Sequence, residues 1–220
     1  MVIFSSCNGQ NYDGIFEKES TQEHTANEPK YKDVEIVDSG YTLSKDGDYI
    51  NWGVIFKNPD HQAIYEFTTI SITSYDKEGS VLSTDNQVFN IIMPGETQTF
   101  GSSLSTNGEK PNRVEFTIES GNMITSADEH IASSKFKTRG LKDRKDEYGE
   151  VAFTGKVKNN SSINCDSACI SIILKKKNRI VYGVNSFINN INAGQEKPFD
   201  ISEYDLPKYD SYTITVIDWS

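Results

Sequence analysis

The side chains able to do chemistry are few, and their spacing argues against catalysis. The 220 residues hold three histidines, His24, His61 and His130, and a Ser or Cys nucleophile needs a base of that kind within hydrogen-bond reach. His24 falls in a polar stretch, His61 follows an Asn58-Pro59-Asp60 turn, and His130 lies between the two halves of the chain. Each reads as a solvated loop residue. Lys45-Asp46-Gly47-Asp48 sets two carboxylates around a glycine, as a calcium loop does, but the remaining ligands of such a loop are missing. The better reading is a strand-joining turn. Glu203 and Asp205 are an acidic pair of the type that acts as acid and base in sugar hydrolysis, with nothing around them to outline a cleft. The sequence has no glycine-rich phosphate loop followed by a helix and no Cys/His metal array. No catalytic residue is assigned, and no cofactor or metal is expected.

Cys165-Asp166-Ser167-Ala168-Cys169 is the most distinctive local feature. Residues four apart on an extended strand are about 13 Å apart, too far for a disulfide. A Cys165–Cys169 bond therefore requires this segment to bend, which Asp166-Ser167 permits; the alternative is a pair of buried thiols. The first half has Tyr65 and Thr69 at the matching positions, so the fold does not require the pair.

Lys135, Lys137 and Arg139 alternate with Phe136 and Thr138, which puts three cations on one side of a strand, and Lys175-Lys176-Lys177 with Arg179 crowns a hairpin. Together they form a candidate contact patch for an anionic wall polymer, lipid headgroups or the acidic first half. Lysines on an edge strand also guard against aggregation. Charge divides unevenly around this patch. Of a net −10, residues 31–120 carry 14 acids against 6 bases and residues 131–220 carry 11 acids against 14 bases. The first half repels phosphate, which makes nucleic acid a poor partner of the whole chain and leaves the second half open to an acidic polymer. Opposite signs predict that the halves attract and that salt loosens them, since exposed charges are screened over about 10 Å at 0.1 M.

The elements that position these residues are read twice. Lys57-Asn58-Pro59 recurs as Lys158-Asn159-Asn160, Ile70-Ser71-Ile72 as Ile170-Ser171-Ile172, and Pro94-Gly95-Glu96 with Phe100 as Ala193-Gly194-Gln195 with Phe199. The offset stays near one hundred residues, the signature of a duplicated unit. Within each copy, apolar residues alternate with polar ones. Ile50, Trp52, Val54 and Phe56 do so in the first; Val151, Phe153 and Val157, then Tyr212, Ile214 and Val216, do so in the second. Trp52 belongs to the core by this pattern, whereas Trp219 has no evident place. Eleven Tyr and eleven Phe can fill thin cores despite a mean hydropathy of −0.56. Short strands with turn signals every eight to twelve residues predict an all-β chain of two tandem immunoglobulin-like β-sandwich domains. The predicted boundaries are a polar tether over 1–30, sandwiches over 31–120 and 131–220, and a hinge at 121–130.

The run from Asn51 to Pro59, then Ile70 to Leu82, then Met93-Pro94-Gly95-Glu96-Thr97 resembles the bacterial FxLYD domain, a small immunoglobulin-like sandwich of surface and secreted proteins. The naming motif falls on Ile72-Thr73-Ser74-Tyr75-Asp76, where Tyr75 and Asp76 match; in the second copy Leu174 matches, and Lys175 and Lys176 replace the Tyr-Asp pair. Met1-Val2-Ile3-Phe4-Ser5-Ser6-Cys7 resembles the tail of a bacterial lipoprotein signal, making Cys7 the lipidation candidate. The tether, the duplication and the missing active site, taken with these resemblances, lead to the expectation of a non-catalytic, exported or cell-surface binding or spacer module. It is held by lipid on the outer face of a bacterial membrane or secreted, it is monomeric, and its partner is an envelope protein or an anionic cell-wall polymer. A structural subunit docking on an envelope protein is the alternative, and a glycan-acting enzyme the remote one.

Overall fold

The computed structural model describes residues 31–126 and 130–219. The alternating runs become strands β1 (Glu35–Leu43), β2 (Tyr49–Lys57), β3 (Ile64–Tyr75), β4 (Val81–Ile92), β5 (Thr97–Ser105), β6 (Arg113–Glu119) and β7 (Asn122–Ile124) in the first half. The second half holds β8 (Phe136–Lys145), β9 (Val151–Asn159), β10 (Cys165–Lys176), β11 (Arg179–Ile191), β12 (Glu196–Glu203) and β13 (Ser211–Asp218). The chain is all-β, built of antiparallel sheets. Sheet order repeats with the sequence: β1-β2-β5 and β4-β3-β6 in the first half, β12-β9-β8 and β11-β10-β13 in the second. Each pair of sheets encloses its own apolar cluster, centred on Trp52, Phe56, Phe89 and Phe100 in one and on Phe153, Ile170, Ile172 and Leu174 in the other.

The repeated polar motifs explain one another. Asn58 is fully buried. Its Nδ2 donates to the carbonyls of Ala63 (2.7 Å) and Ile92 (3.4 Å), and its Oδ1 accepts the Asp60 N–H (3.0 Å). The Asn58 N–H donates to the Glu96 carbonyl, and the Glu96 carboxylate accepts the Met93 N–H (2.7 Å). Asn159, equally buried, donates to the carbonyls of Ile163 (2.8 Å) and Ile191 (3.0 Å), its N–H donates to the Gln195 carbonyl, and Gln195 Oε1 accepts the Asn192 N–H (2.9 Å). In each half one buried amide therefore ties the end of the second strand to the turn before the fifth. It satisfies carbonyls that would otherwise be stranded away from water.

The halves differ in which faces they bury. Along β3, buried Ile70 and Ile72 alternate with half-buried Thr69, Ser71 and Thr73, whereas β10 is buried without a break from Ala168 to Leu174. Cys169, Ser171 and Ile173 face the other half. Gly40, Gly53 and Gly101 are register partners across β1, β2 and β5, and β11 lies along this row, meeting Gly40 at Ile180, Gly53 at Ile180 and Tyr182, and Gly101 at Gly183 and Val184. A β-carbon on Gly183 would stand 2.6 Å from Gly101 Cα and 3.0 Å from Gly53 Cα, and one on Gly53 would stand 2.6 Å from Ile173 Cδ1. Stacked sheets are normally about 10 Å apart with side chains between them; where Gly101 meets Gly183, backbone lies on backbone.

Polar contacts flank the seam. Thr42 Oγ1 donates to the Val181 carbonyl (2.7 Å), Asn185 Nδ2 to the Gly101 carbonyl (2.8 Å), and the Thr99 and Thr215 hydroxyls hydrogen-bond. Lys175 pairs with Asp38 at 2.9 Å. Trp219 finds its place here: its indole stacks on Phe100 (5.7 Å, 16°) and meets Phe89 and Phe187 edge-on, each at 5.6 Å. Cys169 and Ile217 also belong to the first cluster, and residues 31–220 pack as one compact unit.

The stretch expected as hinge is in part sheet, because Gly121, with φ +78, turns the chain against the Glu66 and Phe67 backbone and lets β7 pair with Ile64–Glu66. Lys135 does not share the strand face of Lys137 and Arg139. It ends a single 3-10 turn, Ser133–Lys135, whose first N–H is held by Glu96 Oε1 at 2.5 Å, and β8 begins only at Phe136.

The duplication supplies a control for the seam. The register partners equivalent to Gly53 and Gly101 are Thr154 and Asp200, and the residue equivalent to Gly183 is Thr84. Gly183→Thr is therefore expected to destabilise the protein by about 3 kcal/mol or more through overpacking, and Thr154→Gly on the open sheet by about 1 kcal/mol or less. Urea unfolding of both variants checks this, and similar losses for the two would contradict the seam.

Candidate functional site

Cys7 and His24 lie outside the described residues. His61 is exposed, and His130 Nε2 stands 3.9 Å from Glu66 Oε1. Asp46 caps its own turn, accepting the Ser44 hydroxyl (2.5 Å) and the Asp48 N–H (3.1 Å), bonds that lower its carboxyl below the usual range. Among the described residues no three His, Cys, Asp or Glu groups are placed to hold a metal ion. Glu203 and Asp205 do not face one shared space. Glu203 accepts the Tyr182 hydroxyl at 2.8 Å, and burial raises both groups, whereas Asp205 pairs with Lys45. Glu203 lines a cleft of about 320 Å³ between the halves with Tyr49, Asn51 and Asn185, a cleft the sequence did not outline.

Cys165 and Cys169 are not bonded to each other. β10 stays laddered through both positions, opposite Ile191 and Phe187, so the bend a bond requires is absent. The two residues belong to different clusters, Cys165 to the second and Cys169 to the first. The Cys165 thiol is directed at the Ser167 carbonyl (3.2 Å) and Asp218 (3.6 Å); burial pushes the Cys169 thiol up to about 12.

The seven cations of the expected patch are not gathered into one site. Lys137 lines a groove with Glu96 and Thr215, Lys135 and Arg139 are exposed, and Lys175 is held by Asp38. Lys176, Lys177 and Arg179 stand together at the tip of the β10–β11 hairpin, where Lys177 and Asn178 both take positive φ (49 and 63) as a two-residue turn of this type requires. Lys176 also enters a groove of about 610 Å³ with Lys45, Lys145 and Lys208, lined further by Tyr148, Asp205 and Asp210. This groove is the candidate site. The repeat carried a signal for two of its lysines: Lys45-Asp46 and Lys145-Asp146 open equivalent turns, and Asp146 Oδ1 accepts the Tyr148 and Glu150 N–H groups (2.9 Å each) much as Asp46 caps its own. Lys208, in the loop after β12, had none.

One carboxylate is structural beyond dispute of sequence. Asp60 accepts the N–H groups of Lys32 (2.9 Å), Gln62 (2.7 Å) and Ala63 (2.8 Å), fastening the entry of the chain to the turn after β2.

No family model matches the chain, and no curated protein matches it. Among solved structures it is similar to red sea bream transglutaminase, with a TM-score of 0.30 and 7% identity over 86% of this chain and 31% of that protein. A likeness of that size carries no argument about activity.

The three donors hold the Asp60 carboxyl down from its usual 3.8 to about 2. A carboxylate depressed in the folded state contributes stability that is present above its unfolded value and is lost as pH falls through its folded value. Between about pH 4 and pH 2 the protein should therefore lose stability, and Asp60→Asn should flatten that part of the curve. Unfolding midpoints measured across this window decide it; equal slopes in the two proteins would exclude the role.

Proposed function

We propose that this chain is a non-catalytic surface module in which two fused β-sandwiches act as a stiff body that binds and spaces. The carrying observation is the glycine seam, where β11 meets the row Gly40, Gly53 and Gly101, backbone against backbone at Gly101 and Gly183 and with Ile173 and Ile180 closing on Gly53. A pair joined by a flexible hinge positions its faces loosely; a pair joined by backbone contact holds the hairpin tip at Lys177 and the groove beside it at a fixed place relative to the first half. The polar side chains of the turns support the same reading, because Asn58, Asn159, Asp60 and Gln195 are engaged in holding backbone.

The reading keeps the FxLYD resemblance and places the molecule at a bacterial surface, anchored through Cys7 or secreted. The second reading, a subunit docking on an envelope protein, draws on the open edges of β8 and β13, which border a groove of about 550 Å³ between the halves. Pull-down from solubilised membranes separates the two. Retention on purified wall polymer without a stoichiometric protein favours the first, and a stoichiometric protein partner favours the second.

The seam also revises the expected effect of salt. Exposed ion pairs such as Lys45 with Asp205 are screened, but close packing of glycine backbones is not. With Cys7→Ser and spin labels at Val81→Cys and Tyr204→Cys, one narrow distance distribution is expected, the same in dilute buffer and in about 1 M salt. A broad or salt-shifted distribution would remove the stiff-body reading.

A further inference from the structure

We infer that the groove bounded by Lys45, Lys145, Lys176 and Lys208 binds a phosphodiester polymer, an inference that rests on the surface-module reading and names the chemistry of its ligand. The four lysines come from four separate segments: the β1–β2 turn, the end of β8, the end of β10 and the loop after β12. All four are exposed. Two aspartates share the groove, and each already has a partner. Asp205 pairs with Lys45, and the Asp210 carboxylate accepts the Lys177 N–H at 2.8 Å. Nearby Asp143 accepts the Tyr209 hydroxyl at 2.7 Å. Lys145, Lys176 and Lys208 make no ion pair among the described residues.

The donors suit a phosphate. Lysine ammonium groups are point charges with freely turning N–H donors, which meet a tetrahedral oxyanion from several directions. Extent decides between one ion and a chain. Lys176 belongs both to this groove and to the adjoining hollow lined by Lys177 and Arg179, so cationic sites continue past the groove along the hairpin. Shape favours a chain over a bilayer, because the lysines surround a concavity of about 610 Å³ rather than lying on a plane. The local balance of four lysines to two aspartates holds in a chain whose net charge is −10, so attraction is confined to this region, and the acidic first half turns the polymer away from the rest of the surface.

The test is fluorescence anisotropy of a dye-labelled glycerol-phosphate oligomer titrated with the full chain. Binding is expected in about 50 mM salt and should weaken by about 20-fold in about 200 mM, as neutralising about three phosphates on a single chain requires. Lys145→Gln with Lys176→Gln and Lys208→Gln should weaken binding by about tenfold or more. Lys135→Gln with Lys137→Gln and Arg139→Gln removes the same formal charge elsewhere and should change it by less than about twofold. An unchanged melting temperature shows that either variant is folded. The inference is overturned by absence of binding in low salt, by equal losses in the two variants, or by vesicles containing phosphatidylglycerol binding the chain where the oligomer does not. A failed titration beside a narrow spin-label distance would sink the ligand and leave the stiff module standing.

Discussion

Everything distinctive about this molecule depends on backbone meeting backbone where β11 crosses the glycine row. Van der Waals attraction falls steeply with separation, so the lack of side chains at Gly53, Gly101 and Gly183 lets two sheets approach far closer than sheets usually do, and a β-carbon at Gly101 or Gly183 would strike backbone. Around this line the rest falls into place. The outward face of β10 becomes interior, Ile173 and Cys169 leave water, and the aromatic cluster of the first half accepts Trp219 from the second. The ion pairs at the rim are exposed or half-exposed and contribute little beside this packing.

The alternation of Ile50, Trp52, Val54 and Phe56 was enough to place β2, and the paired Asn58 and Asn159 motifs were enough to see that one design was used twice. These are local signals, because period-two burial and turn chemistry depend on near neighbours in sequence. What escaped was the mutual burial of the halves, which depends on faces rather than strands. Its signal lay in the differences between the copies. Thr69, Ser71 and Thr73 on β3 become Cys169, Ser171 and Ile173 on β10, a shift toward apolar residues on a face that should have been solvated, while Thr154 and Asp200 stand where the first copy has glycine. A glycine within a strand usually marks close approach of something, and three aligned across β1, β2 and β5 marked the seam. Trp219 was illegible for the same reason, since its partners Phe89 and Phe100 lie in the other half.

The basic patch illustrates the same limit. Cations grouped by their nearness in sequence were dispersed, since Lys175 turned inward to Asp38 and Lys135 fell on a turn. The groove that did assemble took one lysine from the expected group and three from the β1–β2 turn, the end of β8 and the loop after β12, which only the tertiary arrangement brings together. Stiffness and binding are then linked physically. Lys45 belongs to the first half and Lys145, Lys176 and Lys208 to the second, so the place of Lys45 beside the other three is fixed only while the seam is closed.

Calorimetric unfolding tests the seam most directly. If the seam makes residues 31–220 one cooperative unit, heating gives a single transition whose calorimetric enthalpy, about 130 kcal/mol at roughly 0.7 kcal/mol per residue, equals the van't Hoff enthalpy. Two separable transitions, or a calorimetric enthalpy about twice the van't Hoff value, would mean that each sandwich melts alone and that the glycine contact does not bind them into one body.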